Sequence, residues 1–305
     1  MEKDIILNFF ILFFMVLEHL FPEDWLERKS RFAFLLGAGY SAIGLLIAST
    51  LFPADPALVA LAFTALLLLP ELDKLFSIEE RQEHMDRKKV SWKELLKDDW
   101  DVIKIYFFLF FGVFFVYLAG SMLLPSLTAN ELFREQLEIR GVGLSEAASG
   151  QAIFAGSTFW NLLSNNFLVL IAVFIIALLT GDGGVFLLIW NASVWGTIFG
   201  VTARSAAEFS SVFSIIPLSL ILLAVLPHTI IEALAYILAN ISGGIISKDV
   251  LLEKFESKRF FKVLRFNLYL LIAALLVLLI GAAWETVVLD NFTFYQDIIQ
   301  QSFLA

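Results

Sequence analysis

The chain has 305 residues, 59% of them hydrophobic and 17% charged, with no cysteine and a formal net charge of −9; its mean hydropathy is +0.84. Soluble globular chains run at about 45–50% apolar and about 25% charged, so a soluble enzyme, a nucleic-acid binder and a secreted disulfide scaffold are all excluded. This is an integral membrane protein, without thiolate metal sites or cysteine nucleophiles.

At about 20 apolar residues per helical crossing, the chain has room for about six spans, within a range of five to seven. Residues 5–17 are apolar but stop at Glu18-His19. That is short of a crossing, and no small-residue cleavage site follows, so an interfacial or re-entrant helix is expected there. The first clear span is 32–52. It ends at Phe52-Pro53-Ala54-Asp55-Pro56, where two prolines block a continuing helix. A short second span covers 57–76, and a phenylalanine-rich third covers 101–124, closed by Pro125.

Residues 125–157 carry Glu131, Arg134, Glu135, Glu138 and Arg140 and read as a polar surface segment. Span four is 159–180, followed by the turn Gly181-Asp182-Gly183-Gly184. Shorter apolar pieces follow at 185–200, 211–226 and 227–246, the last two divided by Pro227. A final long span covers 266–288.

Three basic clusters orient the chain. Residues 28–31, 74–104 and 248–265 together hold 17 of its 21 Lys and Arg. By the positive-inside rule they share the cytoplasmic side. The 125–157 segment and the tail 289–305 then lie outside, with the N-terminus in and the C-terminus out. An odd number of crossings must separate residue 150 from residue 248. Pieces of 16 residues, such as 185–200 and 211–226, reach only about 24 Å. At least one is therefore expected to be re-entrant or a half-helix, tolerated at membrane depth only inside protein or along a cavity.

Three polar sets interrupt the apolar pieces. Asn161, Asn165 and Asn166 open span four, with Ser164 among them; Asn191 sits in a short piece; His228, Glu232 and Asn240 follow Pro227. A charge at mid-bilayer costs at least about 2.5–3.5 kcal/mol, so Glu232 needs a partner. His228, four residues earlier on the same helical face, is the obvious one. The set reads either as interhelical glue or as a proton, cation or substrate site. Asp182 reads as a turn aspartate.

Enzyme signatures are missing. The only histidine–glutamate spacing of interest is His228-x-x-x-Glu232, and neither a nucleophile elbow nor a phosphate loop occurs. The segment 77–101 mixes charge signs like a solvated cytoplasmic helix pair that can dock a partner or anionic lipid. Asn291-Phe292-Thr293 is a glycosylation sequon beside the membrane.

The order of these features resembles the stage II sporulation protein M family, particularly its archaeal-type membrane proteins. The resemblance rests on Asn165-Asn166, Gly181 to Gly184, Asn191-Ala192, Pro227-His228-Thr229, Glu232 and Gly243-Gly244. Leu17-Glu18 to Pro22, Pro70, Glu79-Glu80 and Pro125 extend it over most of 15–265. Ala192 and Thr229 stand where the family favours glycine, which implies looser packing at both places. The resemblance implies a non-catalytic membrane organiser, since the family's namesake recruits and positions peptidoglycan-degrading partners during engulfment.

The expectation is thus an all-α polytopic transmembrane bundle with broken or re-entrant short helices in its second half. It forms a single membrane domain over 1–305: an interfacial segment 1–31, three spans over 32–124 with a cytoplasmic loop 77–100, an external segment 125–157, further spans over 158–288 and an external tail 289–305. It is expected to lie multi-pass in the cell membrane as a scaffold or assembly subunit, not an enzyme, with no cofactor and no metal. Its expected partners are the lipid bilayer and other membrane or envelope proteins, not nucleic acid. Gly37, Gly39, Ser41 and Gly44 would suit a homodimer or packing within the chain. The alternative is a proton-coupled transporter or a cation or solute permease built around His228, Glu232 and the asparagines.

Overall fold

The computed structural model describes residues 30–86, 92–139, 155–252 and 258–303, with side chains for 30–72, 100–139, 158–248 and 260–303. The expected interfacial helix at 5–17 lies outside them. The described elements are helical: α1 (Phe32–Leu51), α2 (Pro56–Asp86), α3 (Trp92–Leu123), α4 (Ser126–Leu132), α5 (Ala155–Thr180), α6 (Val185–Ser210), α7 (Ile215–Leu252), α8 (Lys258–Asn291) and α9 (Thr293–Gln301).

Local chemistry explains the breaks. Pro56 takes the first position of α2, where its missing N–H is no loss. The α3 helix stops two residues short of Pro125, because the residue before a proline disfavours helical geometry. Gly181 adopts a left-handed φ of +79° and donates to the Ala177 carbonyl at 2.7 Å, which closes α5.

Among the described residues six stretches are long and apolar enough to cross a membrane: Phe32–Leu51, Trp100–Leu123, Thr158–Thr180, Val185–Ser210, Ile215–Lys248 and Phe260–Asn291. Pro56–Leu72 in α2 is a shorter apolar helix beside them. The chain is an all-helical polytopic bundle.

The expected broken helices are corrected. Residues 185–200 belong to α6, which runs on to Ser210. Arg204 does not end it, because its Nε donates to Glu208 Oε1 at 3.1 Å one turn on. Residues 211–226 and 227–246 do not separate at Pro227; both lie in α7, with the proline inside the helix. A membrane helix tolerates an interior proline; Pro227 lies on the exposed side of α7, while other faces of the helix pack on α3, α5, α6 and α8. Thr229 Oγ1 also donates to the Val225 carbonyl beside the proline, at 3.0 Å. Merging those pieces leaves three helices between residues 155 and 252, the odd number that the charge pattern requires.

Packing is layered around α3 and α7. The α3 helix lies between α1 and α6, α2 packs on α1, and α5 and α8 flank α7. Glycines let backbones meet. A Cβ on Gly37 would collide with the Leu109 carbonyl, and one on Gly112 with the Phe34 carbonyl, so α1 and α3 approach through reciprocal glycines. Gly44 faces Ala60 and Thr64 of α2 and Ser41 is buried, while Gly39 has open space around it. Packing within the chain thus accounts for three of the four small residues of α1.

The helices alternate in direction, giving the bundle two distinct ends. At one, Lys248 of α7 donates to Asp182 Oδ2 in the α5–α6 turn at 3.2 Å. At the other, Arg134 meets Asp55 at 3.3 Å. There Arg204 donates to the Leu124 carbonyl at 2.7 Å and to Ser126 Oγ at 2.6 Å, and Ser210 to Gln301 Oε1 at 2.8 Å.

Candidate functional site in the bundle core

The α7 helix places a polar or aromatic group every four residues: His228, Glu232, Tyr236 and Asn240, all buried. Each four-residue step turns about 40° around the helix axis. The stripe therefore winds, and its upper and lower members face different neighbours.

Glu232 does not take His228 as its partner. Its Oε1 accepts from Asn166 Nδ2 of α5 at 2.9 Å, and its carboxyl stands within hydrogen-bond reach of Glu285 on α8. Asn166 Oδ1 in turn accepts from Asn165 Nδ2 at 3.4 Å. Asn165, Ser164 and Asn161 lie on the exposed face of α5. The three asparagines of span four thus divide, one facing the core and two facing outward. Asn191 is half-buried, and its Nδ2 donates to the Leu187 carbonyl one turn back at 2.8 Å.

His228 is 5% exposed, and its Nδ1 finds no partner among the described residues. Asn240, at 1% exposure, faces Gly184 and leaves both amide atoms unpaired. Replacing Asn240 by leucine removes an unpaired amide of similar volume, so it is expected to be neutral or stabilising by about 1 kcal/mol. Gly184→Ala would press a Cβ onto that amide and to 2.9 Å from the Val173 carbonyl, and should cost about 1–3 kcal/mol. Thermal unfolding of both variants in one detergent checks the contrast.

Glu285 is the residue that sequence reasoning passed over. Its signal was available: a carboxylate six residues from the end of a long apolar run demands an explanation. Buried Tyr236 lies close to both carboxyls and stacks on Trp195 of α6 with ring centres 6.3 Å apart. Half-buried Tyr295 of α9 also lies near Glu285; burial, then that carboxyl, pushes its phenol above the ordinary tyrosine range. Gln136 of 134–139 and Asn267 of α8, also buried, were missed as well. The first donates to Ser193 Oγ at 3.3 Å, and the backbone carbonyl of the second accepts from Ser242 Oγ at 2.7 Å.

Two clefts lie away from this core. An apolar groove of about 450 Å³ between α5 and α8 is walled by Trp160, Phe167 and Leu275 among others. A more polar cleft of about 400 Å³ at the Arg204 end is walled by Ser126, Asn130, Arg204 and Glu208. Neither is lined by His228 or Glu232.

A family model described as Stage II sporulation protein M matches residues 104–288, more than half of the chain. The chain belongs to the stage II sporulation protein M family. Comparison with curated proteins and with solved structures gives no match. The stage II sporulation protein M region starts in α3 and ends in α8, so it includes Asn166, His228, Glu232, Tyr236, Asn240 and Glu285 and leaves out α1, α2 and α9. Where the family favours glycine the packing is not loose: Ala192 is fully buried and Thr229 is 2% exposed, its hydroxyl satisfied by Val225.

Proposed function

We propose that this family member is a non-catalytic scaffold or assembly subunit of a membrane complex, with its N-terminus cytoplasmic and its C-terminus extracytoplasmic. One observation carries the reading: three pairs of core polar groups join the chain's own helical segments. Asn166 binds Glu232, Gln136 binds Ser193 and Ser242 binds the Asn267 carbonyl. Groups used in this way hold helices together and leave the two ends of the bundle to face partners. The near-complete burial of His228 and Glu232 supports this reading over a solute pathway.

Orientation has its own support. The start of α1, the end of α2, the start of α3, the end of α7 and the start of α8 carry the basic clusters. The end of α7 among them is tied to the α5–α6 turn by Lys248 and Asp182, and the positive-inside rule makes that end cytoplasmic. The partner surfaces are then 71–101 and 248–265 inside and 125–157 outside, facing other membrane or envelope proteins.

The absence of cysteine makes labelling clean. Glu131→Cys should react with a membrane-impermeant maleimide on intact cells, and Lys97→Cys only after permeabilisation; the reverse pattern refutes the orientation. For the scaffold, crosslinking and co-purification should recover the same partners from wild type and from Glu232→Gln. Solute flux in proteoliposomes that depends on Glu232 would overturn it.

A further inference from the structure

The contact between Glu232 and Glu285 calls for a ligand. In the antiparallel pair α7 and α8, Gly281 stands against Glu232, and a Cβ there would lie 3.0 Å from Glu232 Cγ. Glu285 is one turn further along α8, which is the level of His228 one turn back along α7. Each Cα–Cβ bond leans toward its own helix's N-terminus, so the two carboxyl side chains lean toward one another.

An ionised carboxylate only accepts hydrogen bonds. Two carboxyls within reach of each other therefore form a bond only when one proton lies between them. A second observation points the same way. Glu285 Oε2 and His228 Nδ1 are both buried without a partner among the described residues, and they lie at one level of the bundle. The described residues contain no group of three His, Asp or Glu able to hold a metal ion, so the cation that suits this pair is the smallest.

We propose that the Glu232–Glu285 pair is a proton-binding site, holding one exchangeable proton. The groups around it are His228 and Tyr236 on α7, Asn166 on α5 and Tyr295 on α9. Asn166 donates to Glu232 in either protonation state, so the proton comes and goes without breaking the link to α5. The site is independent of the scaffold reading, since its test reads neither partners nor flux.

The test is infrared difference spectroscopy on the purified full chain in lipid nanodiscs at neutral pH. The wild type should show one deuterium-sensitive carboxylic-acid carbonyl band, and the Glu232→Gln/Glu285→Gln variant should lack it. Glutamine keeps side-chain length and can still donate, so this variant is suited to fold, which its circular dichroism checks. A wild type with no such band, or a band surviving in the double variant, overturns the site.

Discussion

Gly196→Val is expected to lower the unfolding free energy by about 3 kcal/mol or more. A Cβ at Gly196 would collide with the Phe114 carbonyl oxygen of α3 and stand 3.0 Å from the Leu118 nitrogen and 3.1 Å from Tyr117 Cβ. Two of these three neighbours are backbone atoms that cannot turn aside. Gly200, one turn on, faces the Leu118 carbonyl in the same way, at 2.7 Å from a Cβ, so α6 lies on α3 through a small-residue face. Overpacking ordinarily costs about 1–3 kcal/mol, and a branched side chain against backbone belongs at or above the top of that range. The helices would have to part, loosening the contacts of Phe110 with Trp195 and of Phe114 with Phe199. Gly39→Ala is the control, because its Cβ meets nothing within 4 Å; it should be neutral or stabilising by about 0.5–1 kcal/mol. Denaturation in mixed micelles separates the two. A Gly196→Val protein as stable as wild type would mean that α3 and α6 do not meet this way.

Much of this fold is legible in the residue order, and the reason is solvent. Lipid demands long apolar runs with few charges, so the spans stand out, and the flanking basic residues separate the ends of the bundle without any knowledge of packing. Judgement from local pattern fails where tertiary contact overrides it. Pro227 reads as a boundary because an isolated helix loses about 3 kcal/mol to an interior proline; α7 runs through it all the same, held along its buried faces by four other helices. Arg204 lies beyond residue 200, where the apolar piece stops, yet it is inside α6, tied to Glu208, Leu124 and Ser126.

The same contrast governs the core cluster. His228 presents itself as the partner of Glu232 because four residues make one turn, and spacing on one helix is all that sequence displays. Asn166 and Glu285 come from other helices, and only the packing of α5 and α8 against α7 assigns them. Asn161 and Asn165, four residues apart, share a face, but that face points away from the core. Gly184 and Asn240 meet for the same reason that hides them: the α5–α6 turn folds back on α7.

Breaking the link between α5 and α7 should have the second large effect. Asn166 is 9% exposed and Glu232 4%, joined by a hydrogen bond of 2.9 Å. Asn166→Leu leaves Glu232 Oε1 without its donor, buried in a core that offers water little access. A hydrogen bond to a charged group contributes about 1.5–3 kcal/mol net, and leaving a buried acceptor orphaned costs about 1–3 kcal/mol, so the two measures agree in scale. The expected loss is about 2–3 kcal/mol. Glu232→Leu should also destabilise, by leaving the Asn166 amide and the Glu285 carboxyl unpaired. Removing both partners should cost less than the sum of the two single changes, because each loss counts the same broken bond. The coupling should reach about 1 kcal/mol or more, against the 0.3–0.5 kcal/mol within which independent sites add. Additive losses in that thermodynamic cycle would show that Asn166 and Glu232 do not hold one another, and that α5 is fastened to α7 by apolar packing alone.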